Sequence, residues 1–436
     1  MILFQNRIVS RHHPKQGQGR LRRLLACAMV TPFLCATADA AHAQDGARRD
    51  FQIVESVPEG SVYGQAGIAR TRDVWLDMIR HARHSIDAAV FYITDKPGHG
   101  MSDILDALTE RARAGVQVRI VVEQSFLKET GPVLEKLKAV PNITTAILPG
   151  HTLTGGILHA KYMLVDNNSV FVGSQNWDWR ALEHIHEIGA RIDNAPIAQD
   201  FESDFNMLWM LAQGASLSSA YARFAATPDF APVTQANPVI LSDGTQPLIA
   251  FPAFSPAAMM PSSLTTEEKA LVDMIHGARR TLRLQVLTMS AFNHYGAHGY
   301  WPVLDTALRD AAARGVETQI IVSNWALSEP MQSYLKSLAV LPHVSVKFST
   351  VPDVPGVKIP YARVEHCKYA VADDDAVYIG TGNWEPSYFT TTVNASIFVH
   401  GASPARDLNA IFMHDWTGPY VTPLEAGKTY TMPKRD

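Results

Sequence analysis

Apolar positions change period along this chain, and the change happens twice in the same order. "VWLDMIRHA", from Val74, spaces its apolar residues as one face of a helix, whereas "IDAAVFYI" and "VQVRIVV" are apolar almost without a break. The first pattern predicts an amphipathic helix and the other two predict buried strands. "DMIRHARHSIDAAVFYIT" from Asp77 returns as "DMIHGARRTLRLQVLTMS" from Asp273, and "LDALTERARAGVQVRIVV" from Leu105 returns as "LDTALRDAAARGVETQIIV" from Leu304. The offset grows slowly, from 196 residues for the Asp pair to 200 for Gly115 and Gly315, as insertions in loops would produce. The chain therefore reads as a tandem duplication. Within each half, buried strands alternate with helices, which predicts an α/β/α sandwich with mixed or parallel sheets. Two such halves predict a bilobal, pseudo-twofold molecule with its site between them. From about Gly214 to Ser263 the chain is rich in Pro, Ala and Ser and reads as a surface linker. The expected division is a first half over 44–213, a linker over 214–263 and a second half over 264–436.

The leader is of another kind. Arg7, Arg11, Lys15, Arg20, Arg22 and Arg23 precede an apolar run from Leu24 to Leu34, and the small residues Ala41 to Ala43 follow. The run is too short to span a bilayer, so residues 1–43 read as a secretory signal peptide, with Sec or twin-arginine export left open. Cleavage after Ala43 predicts a periplasmic or secreted protein with no transmembrane segment in the mature chain. It also removes Cys27 and Cys35, so Cys367 remains alone and no internal disulfide can form. Taking away the six basic residues and Asp39 leaves 32 Lys and Arg against 41 Asp and Glu, a net charge of −9. Such a chain has no general attraction for nucleic acid or anionic lipid, so a polyanionic substrate must be held by a local basic site.

That site is written twice. "HAKYMLVDNNSVFVGSQN", His159 to Asn176, matches "HCKYAVADDDAVYIGTGN", His366 to Asn383. Residues two apart on a strand share a face, so His159 pairs with Lys161 and His366 with Lys368, with Asp166 and Asp373 at the strand ends. Gly173 and Gly380 allow close backbone approach, and Ser174, Asn176, Thr381 and Asn383 offer neutral donors. Two facing sets would enclose a phosphodiester. One imidazole can attack phosphorus, the other can protonate the leaving oxygen, and two ammonium groups can stabilise the anionic transition state without a metal.

The doubled His-x-Lys-x4-Asp followed by Gly-(Ser/Thr)-x-Asn resembles the signature of the phospholipase D superfamily. "VESVPEG" at Val54, "LHAKYMLVD", "GSQNWDWRAL" and "GTGNWEPSYFT" are similar to the phospholipase D3 and D4 group of single-strand 5′-exonucleases, over nearly all of the mature chain. The resemblance implies a phosphodiesterase working through a phosphohistidine, with His159 as nucleophile and His366 as general acid. It implies that Lys161, Lys368, Asn176 and Asn383 hold the phosphate, and that Glu187 orients a histidine. Asn394 stands at the corresponding position of the second half, an asymmetry that would keep one imidazole more basic than the other.

Blander roles compete for several residues. His184 and His400 read as satisfied core histidines, Cys367 as a small core residue, and Asp166 and Asp373 as pins for their hairpins. The run Asp373 to Asp375 lies at a turn, where acids are common, and no carboxylate or histidine cluster of metal-ligand spacing accompanies it, so neither a metal nor any cofactor is expected. Trp177, Trp179, Trp384, Tyr388 and Phe389 read mainly as packing, with one or two available to stack on a base. The substrate expected first is single-stranded nucleic acid. Phospholipid is the alternative, for which "LIAFPAFSPAAMM" in the linker is the sole candidate membrane-docking segment. An inactive phosphate-binding relative is the third reading, and no protein partner is implied.

Overall fold

The computed structural model describes residues 49–225, 230–293 and 299–435, so the proposed signal peptide lies outside it. The first half contributes β1 (Phe51–Ser56), β2 (Ala69–Arg70), β3 (Ser85–Val90), β4 (Ile93–Thr94), β5 (Gln117–Glu123), β6 (Ile143–Leu148), β7 (Lys161–Val165), β8 (Ser169–Gly173), β9 (Trp177–Asp178) and β10 (Glu187–Asp193). Eight of these form a sheet in the order β2-β1-β10-β8-β7-β3-β5-β6, and β4 pairs with β9 separately. The second half contributes β11 (Val239–Ser242), β12 (Pro247–Ser255), β13 (Thr281–Val286), β14 (Glu317–Ser323), β15 (Val344–Ser349), β16 (Lys368–Ala372), β17 (Ala376–Gly380), β18 (Asn394–His400) and β19 (Val421–Pro423). Their sheet runs β11-β12-β18-β17-β16-β13-β14-β15-β19, so the two halves repeat one topology. In each, a parallel trio (β3, β5, β6 and β13, β14, β15) meets an antiparallel hairpin (β7, β8 and β16, β17).

Helices cover these sheets as the apolar period predicts. Thr71–His81 buries Val74, Trp75, Met78 and Ile79 on one face, and Gly100–Arg113 buries Ile104, Leu105, Ala107 and Leu108. Each large side chain taken out of water contributes about 1.5–3 kcal/mol. One apolar core runs through both halves, joining Tyr162, Phe201 and Phe205 to Phe254, Tyr369 and Phe398. The residues from Gly46 to Asp436 accordingly form one compact unit.

The stretch 214–263 is not a linker throughout. β12 pairs with β18 from Ile249↔His400 to Ser255↔Asn394, the place that β1 takes beside β10 in the first sheet. Prolines at 247 and 252 disguise this strand, because proline inside a sheet ordinarily costs a ladder hydrogen bond. The duplicated unit therefore begins inside the Pro-rich stretch.

The hairpin aspartates have a local task. Asp166 and Asn167 both have positive φ, 53° and 48°, as do Asp373 and Asp374, 55° and 60°, the pair of left-handed residues that a tight strand reversal needs. The Asp166 carboxylate accepts the N–H groups of Arg83, His84 and Ser85 at 2.7–2.9 Å. Asp373 does the same for Arg279, Arg280 and Thr281 at 2.6–2.9 Å. Both carboxylates lie at the far ends of their strands from the histidines, roughly 20 Å away at the usual rise of a strand. Their task is therefore to pin the hairpins, and they take no share in binding phosphate. Asp166→Ala is expected to lower unfolding free energy by about 2 kcal/mol, the worth of hydrogen bonds to a charged acceptor, while kcat per folded molecule stays unchanged. Urea unfolding and turnover measured on one preparation check both parts.

Candidate active site

Lys161 and Lys368 open β7 and β16, while His159 and His366 stand just before those strands instead of on them. Backbone from the opposite half extends each strand at that point. His159 N–H donates to Val393 O at 2.9 Å and Val393 N–H to Ile157 O at 2.8 Å; His366 N–H donates to His186 O at 3.0 Å and His186 N–H to Val364 O at 3.1 Å. Gly156 belongs to this seam, since a Cβ there would lie 2.1 Å from Thr391 O. Gly173 is likewise required, because a Cβ would meet Gly189 Cα at 2.5 Å.

The side chains cross the seam in the same way. His366 Nδ1 donates to Glu187 Oε2 at 2.7 Å, and His159 Nδ1 approaches Asn394 Oδ1 at 3.2 Å. The Asn394 amide is oriented by its neighbours: Nδ2 donates to Tyr388 O and Thr392 O, and Oδ1 also accepts from Thr381 Oγ1. Oδ1 can only accept, so His159 carries its proton on Nδ1 and leaves Nε2 with a lone pair. Each lysine bends back to the carbonyl of its own histidine, Lys161 Nζ to His159 O and Lys368 Nζ to His366 O. All of these groups are buried.

The structure brings the predicted residues together with one redistribution. Asn176 and Asn383 each keep a buried Oδ1 without a hydrogen-bond partner; that atom only accepts, so it is their amide nitrogens that suit a phosphate oxygen, the one of Asn383 now donating to Tyr388 Oη at 3.0 Å. Ser174 and Thr381, expected as phosphate donors, are instead engaged with strand backbone: Ser174 with Ile188 N–H and O, Thr381 with Ala395 N–H. A hydroxyl already satisfied twice has little left for a substrate, so their part is to lock the Gly-Ser/Thr turn to β10 and β18. Among the aromatics, Trp177, Trp384 and Phe389 are core. Tyr388 is half-buried and meets the His159 ring edge-on at 5.0 Å.

Two sets of residues went unseen in the sequence. Phe91, buried, packs 5.0 Å from His159, Phe126 lies 4.2 Å from Phe91, and Tyr92 stacks on Phe126, the last two half-buried, an aromatic run leading away from the imidazole. Beneath the site, His186 is fully buried, with Nδ1 2.7 Å from Glu365 and Nε2 3.1 Å from Glu55. Tyr63 stacks on its ring at 4.3 Å, and Asp415 lies 3.6 Å away. Cys367 is buried as expected, yet its Sγ borders this polar hub, 3.6 Å from His186 Nδ1. Glu55 lies in the quoted "VESVPEG", and no spacing links it to positions 186 and 365. His400 corrects the expectation of a core histidine: it is exposed, 3.2 Å from Asp375.

Burial dominates the site's electrostatics. It lowers the proton affinity of His159 and of His366 well below the ordinary imidazole value, and the neighbouring lysine charges lower both further. It lowers Lys161 well below the ordinary amine value, with the charge on Lys368 adding to the effect, and brings Lys368 down to about 8. Burial also raises the Glu187 carboxyl, against the pull of Lys368. Four basic groups thus share a dry pocket with one acid, and an arriving phosphate anion would hold the lysines charged.

Two mirrored His–Lys–Asn sets closing on one buried pocket define a duplicated phosphodiesterase. The chain belongs to the phospholipase D superfamily: residues 75–209 and 271–416 match the family described as cardiolipin synthase, PLD-like domain. It is 35% identical over 404 residues to human 5'-3' exonuclease PLD3, spanning 86% of this chain and 80% of that protein. It is 31% identical over 389 residues to Phospholipase D Z of Dictyostelium discoideum, spanning 86% and 90%. Among solved structures, phosphatidylserine synthase of Haemophilus influenzae superposes with a TM-score of 0.59 at 12% identity, over 83% of this chain and 87% of that one, and so shares the fold.

The lysine values set a pH dependence. The positive charge on Lys368 is present below about 8 and is lost as pH rises through that value. kcat/KM, which reports the free enzyme, should therefore show a lysine limb near 8 on its alkaline side, beyond an earlier fall set by the His366 proton, which burial holds below the ordinary imidazole value. In kcat the limb should move upward, because bound phosphate stabilises the ammonium. His159, neutral well below the usual imidazole range, places the acid limb under 6.5. Profiles of both parameters check this; an alkaline limb of kcat/KM near the ordinary lysine value of about 10.4 would contradict it.

Proposed function

We propose that this protein is a metal-independent 5′-exonuclease on single-stranded nucleic acid that works through a phosphohistidine on His159. The observation that carries the mechanism is the unequal support of the two imidazoles, Asn394 behind His159 and Glu187 behind His366. A neutral amide leaves His159 uncharged and nucleophilic; burial and the lysine charges keep His366 neutral in the free protein as well, and it takes up the proton of a general acid once the substrate phosphate offsets the lysine charges, with Glu187 behind it to hold the imidazolium. In the first step, the His159 Nε2 lone pair attacks phosphorus, the bond from phosphorus to the leaving oxygen breaks, and the His366 Nε2 proton passes to that oxygen. Lys161, Lys368, Asn176 and Asn383 hold the non-bridging oxygens. In the second step, water gives a proton to His366 and attacks phosphorus, and the P–N bond breaks to restore neutral His159.

Two observations favour nucleic acid over lipid. Relatives named 5'-3' exonuclease match most of the chain, and the aromatic run from Phe91 through Phe126 to Tyr92 gives bases a surface on which to stack. The docking segment a phospholipase would use is otherwise employed, for Leu248, Ala250, Phe251, Phe254, Met259 and Met260 are all buried. The basic, apolar leader supports export to the periplasm or beyond, which N-terminal sequencing of the exported protein tests directly.

The purified protein is expected to release nucleotides stepwise from the 5′ end of linear single strands, to spare circular single strands, and to keep this activity in strong chelator. Offering labelled linear and circular DNA beside phosphatidylcholine checks the substrate; nicking of circles or preference for lipid would overturn it. For the mechanism, His366→Ala should accumulate acid-labile phosphoenzyme from a nitrophenyl phosphodiester, whose good leaving group needs no acid. His159→Ala should form none. Rapid quench with labelled substrate distinguishes the two, and label on His159→Ala would reverse the roles.

A further inference from the structure

Outside the catalytic pocket, a second cluster of ligand-type side chains gathers where the first half turns toward the seam. His99 precedes the helix Gly100–Arg113, while Glu183 ends the short helix Trp179–Glu183 and His184 follows it. One donor atom from each lies within 4.8 Å of the other two. His99 Nδ1 is 2.6 Å from Glu183 Oε2, and His184 Nε2 is 3.9 Å from that same oxygen. We propose that His99, Glu183 and His184 form a binding site for a divalent transition-metal cation of the zinc class, separate from the catalytic centre.

Donor chemistry and geometry carry this assignment. Two imidazoles and one carboxylate are ligands for zinc or its first-row neighbours, whereas calcium and magnesium take all-oxygen sets. Zinc holds nitrogen and oxygen at about 2.0–2.2 Å, which sets tetrahedral donors roughly 3.3 Å apart. The separations of 2.6 and 3.9 Å bracket that figure and the third lies within 4.8 Å, so side-chain shifts of about 1 Å would seat the ion. Binding would replace the contact between His99 Nδ1 and Glu183 Oε2, and water would complete the coordination. Glu183 is already aimed, because its Oε1 accepts the Gly100 N–H.

His184 supplies an independent indication. The residue is 6% exposed, its Nδ1 has no hydrogen-bond partner, and its Nε2 is beyond hydrogen-bond reach of Glu183. A buried ring left without a hydrogen bond among the described residues costs stability unless something else engages it.

The cation would brace the segment that delivers the positioning carboxylate. Glu183 O accepts Glu59 N–H and His184 O accepts Arg363 N–H from the other half, two and three residues before His186 and Glu187. A metal here acts on stability, so chelation should lower the melting temperature while turnover at moderate temperature persists, an outcome distinct from loss of a catalytic metal. Trp179 is a built-in reporter, its ring 4.7 Å from His99 and 5.5 Å from His184.

The test uses the full chain, purified without a histidine tag and freed of metal by chelator. Calorimetric titration with zinc chloride should give one site per chain, and Co2+ should quench tryptophan fluorescence and produce visible d–d bands. His99→Gln keeps a donor for Glu183 but removes a ligand, and should weaken zinc binding by about tenfold or more. His99→Cys should restore binding and add a thiolate-to-cobalt charge-transfer band. Trp179→Phe should keep the calorimetric site and lose most of the quench. No saturable site near one per chain would overturn the proposal, as would equal affinity of wild type and a folded His99→Gln; either result would leave Glu183 as a helix cap only. None of these readouts depends on the nuclease reading, so the two can fail separately.

Discussion

Neither active-site imidazole is fixed by the half of the chain that carries it. Glu187 of the first half holds His366 of the second, and Asn394 of the second holds His159 of the first. Beneath this exchange, His186 joins Glu55 of its own half to Glu365 of the other in a fully buried ion cluster. Burial alone would strip the proton from His186, yet the Glu365 and Asp415 carboxylates hold it on. Removing one partner from such a cluster typically costs about 3–5 kcal/mol, because it leaves a charge without compensation in the interior. The register between the halves is therefore set by polar groups as well as by apolar burial. Its geometry is transmitted over a single peptide unit, from His186 to Glu187 and from Glu365 to His366.

That arrangement keeps the pocket electrostatically unfinished. Two lysines and two histidines share it with one carboxylate, and burial disfavours charge on every one of them. A phosphodiester brings the anionic oxygens that this set lacks. Affinity then arises locally, which reconciles an anionic phosphodiester with an acidic chain.

Much of this was legible in the sequence, for an identifiable reason. Duplication converts one ambiguous motif into two that check each other, so His159, Lys161, His366, Lys368, Asn176 and Asn383 could be named from spacing alone. The helices and strands at 71–81, 85–90, 117–123 and their counterparts followed from apolar period. β12 did not, because Pro247 and Pro252 mimic a linker. Ser174 and Thr381 carry a hydroxyl whose use depends on which atoms lie behind it, and a linear motif does not say. The hub of Glu55, His186 and Glu365 and the cluster of His99, Glu183 and His184 unite positions far apart in the chain, which no local pattern can announce.

The unlike residues behind the two imidazoles bear on how such a pocket could arise. If the two halves were separate, identical subunits, twofold symmetry would place the same side chain behind both histidines. Two carboxylates would make both rings basic, and two amides would leave neither suited to hold a proton. A homodimer of halves can differentiate its rings only transiently, by the way a substrate sits. Once the halves are fused, a single codon change alters one ring and spares the other. Asn394 opposite Glu187 is such a broken symmetry, and covalent linkage of the halves is what makes it heritable.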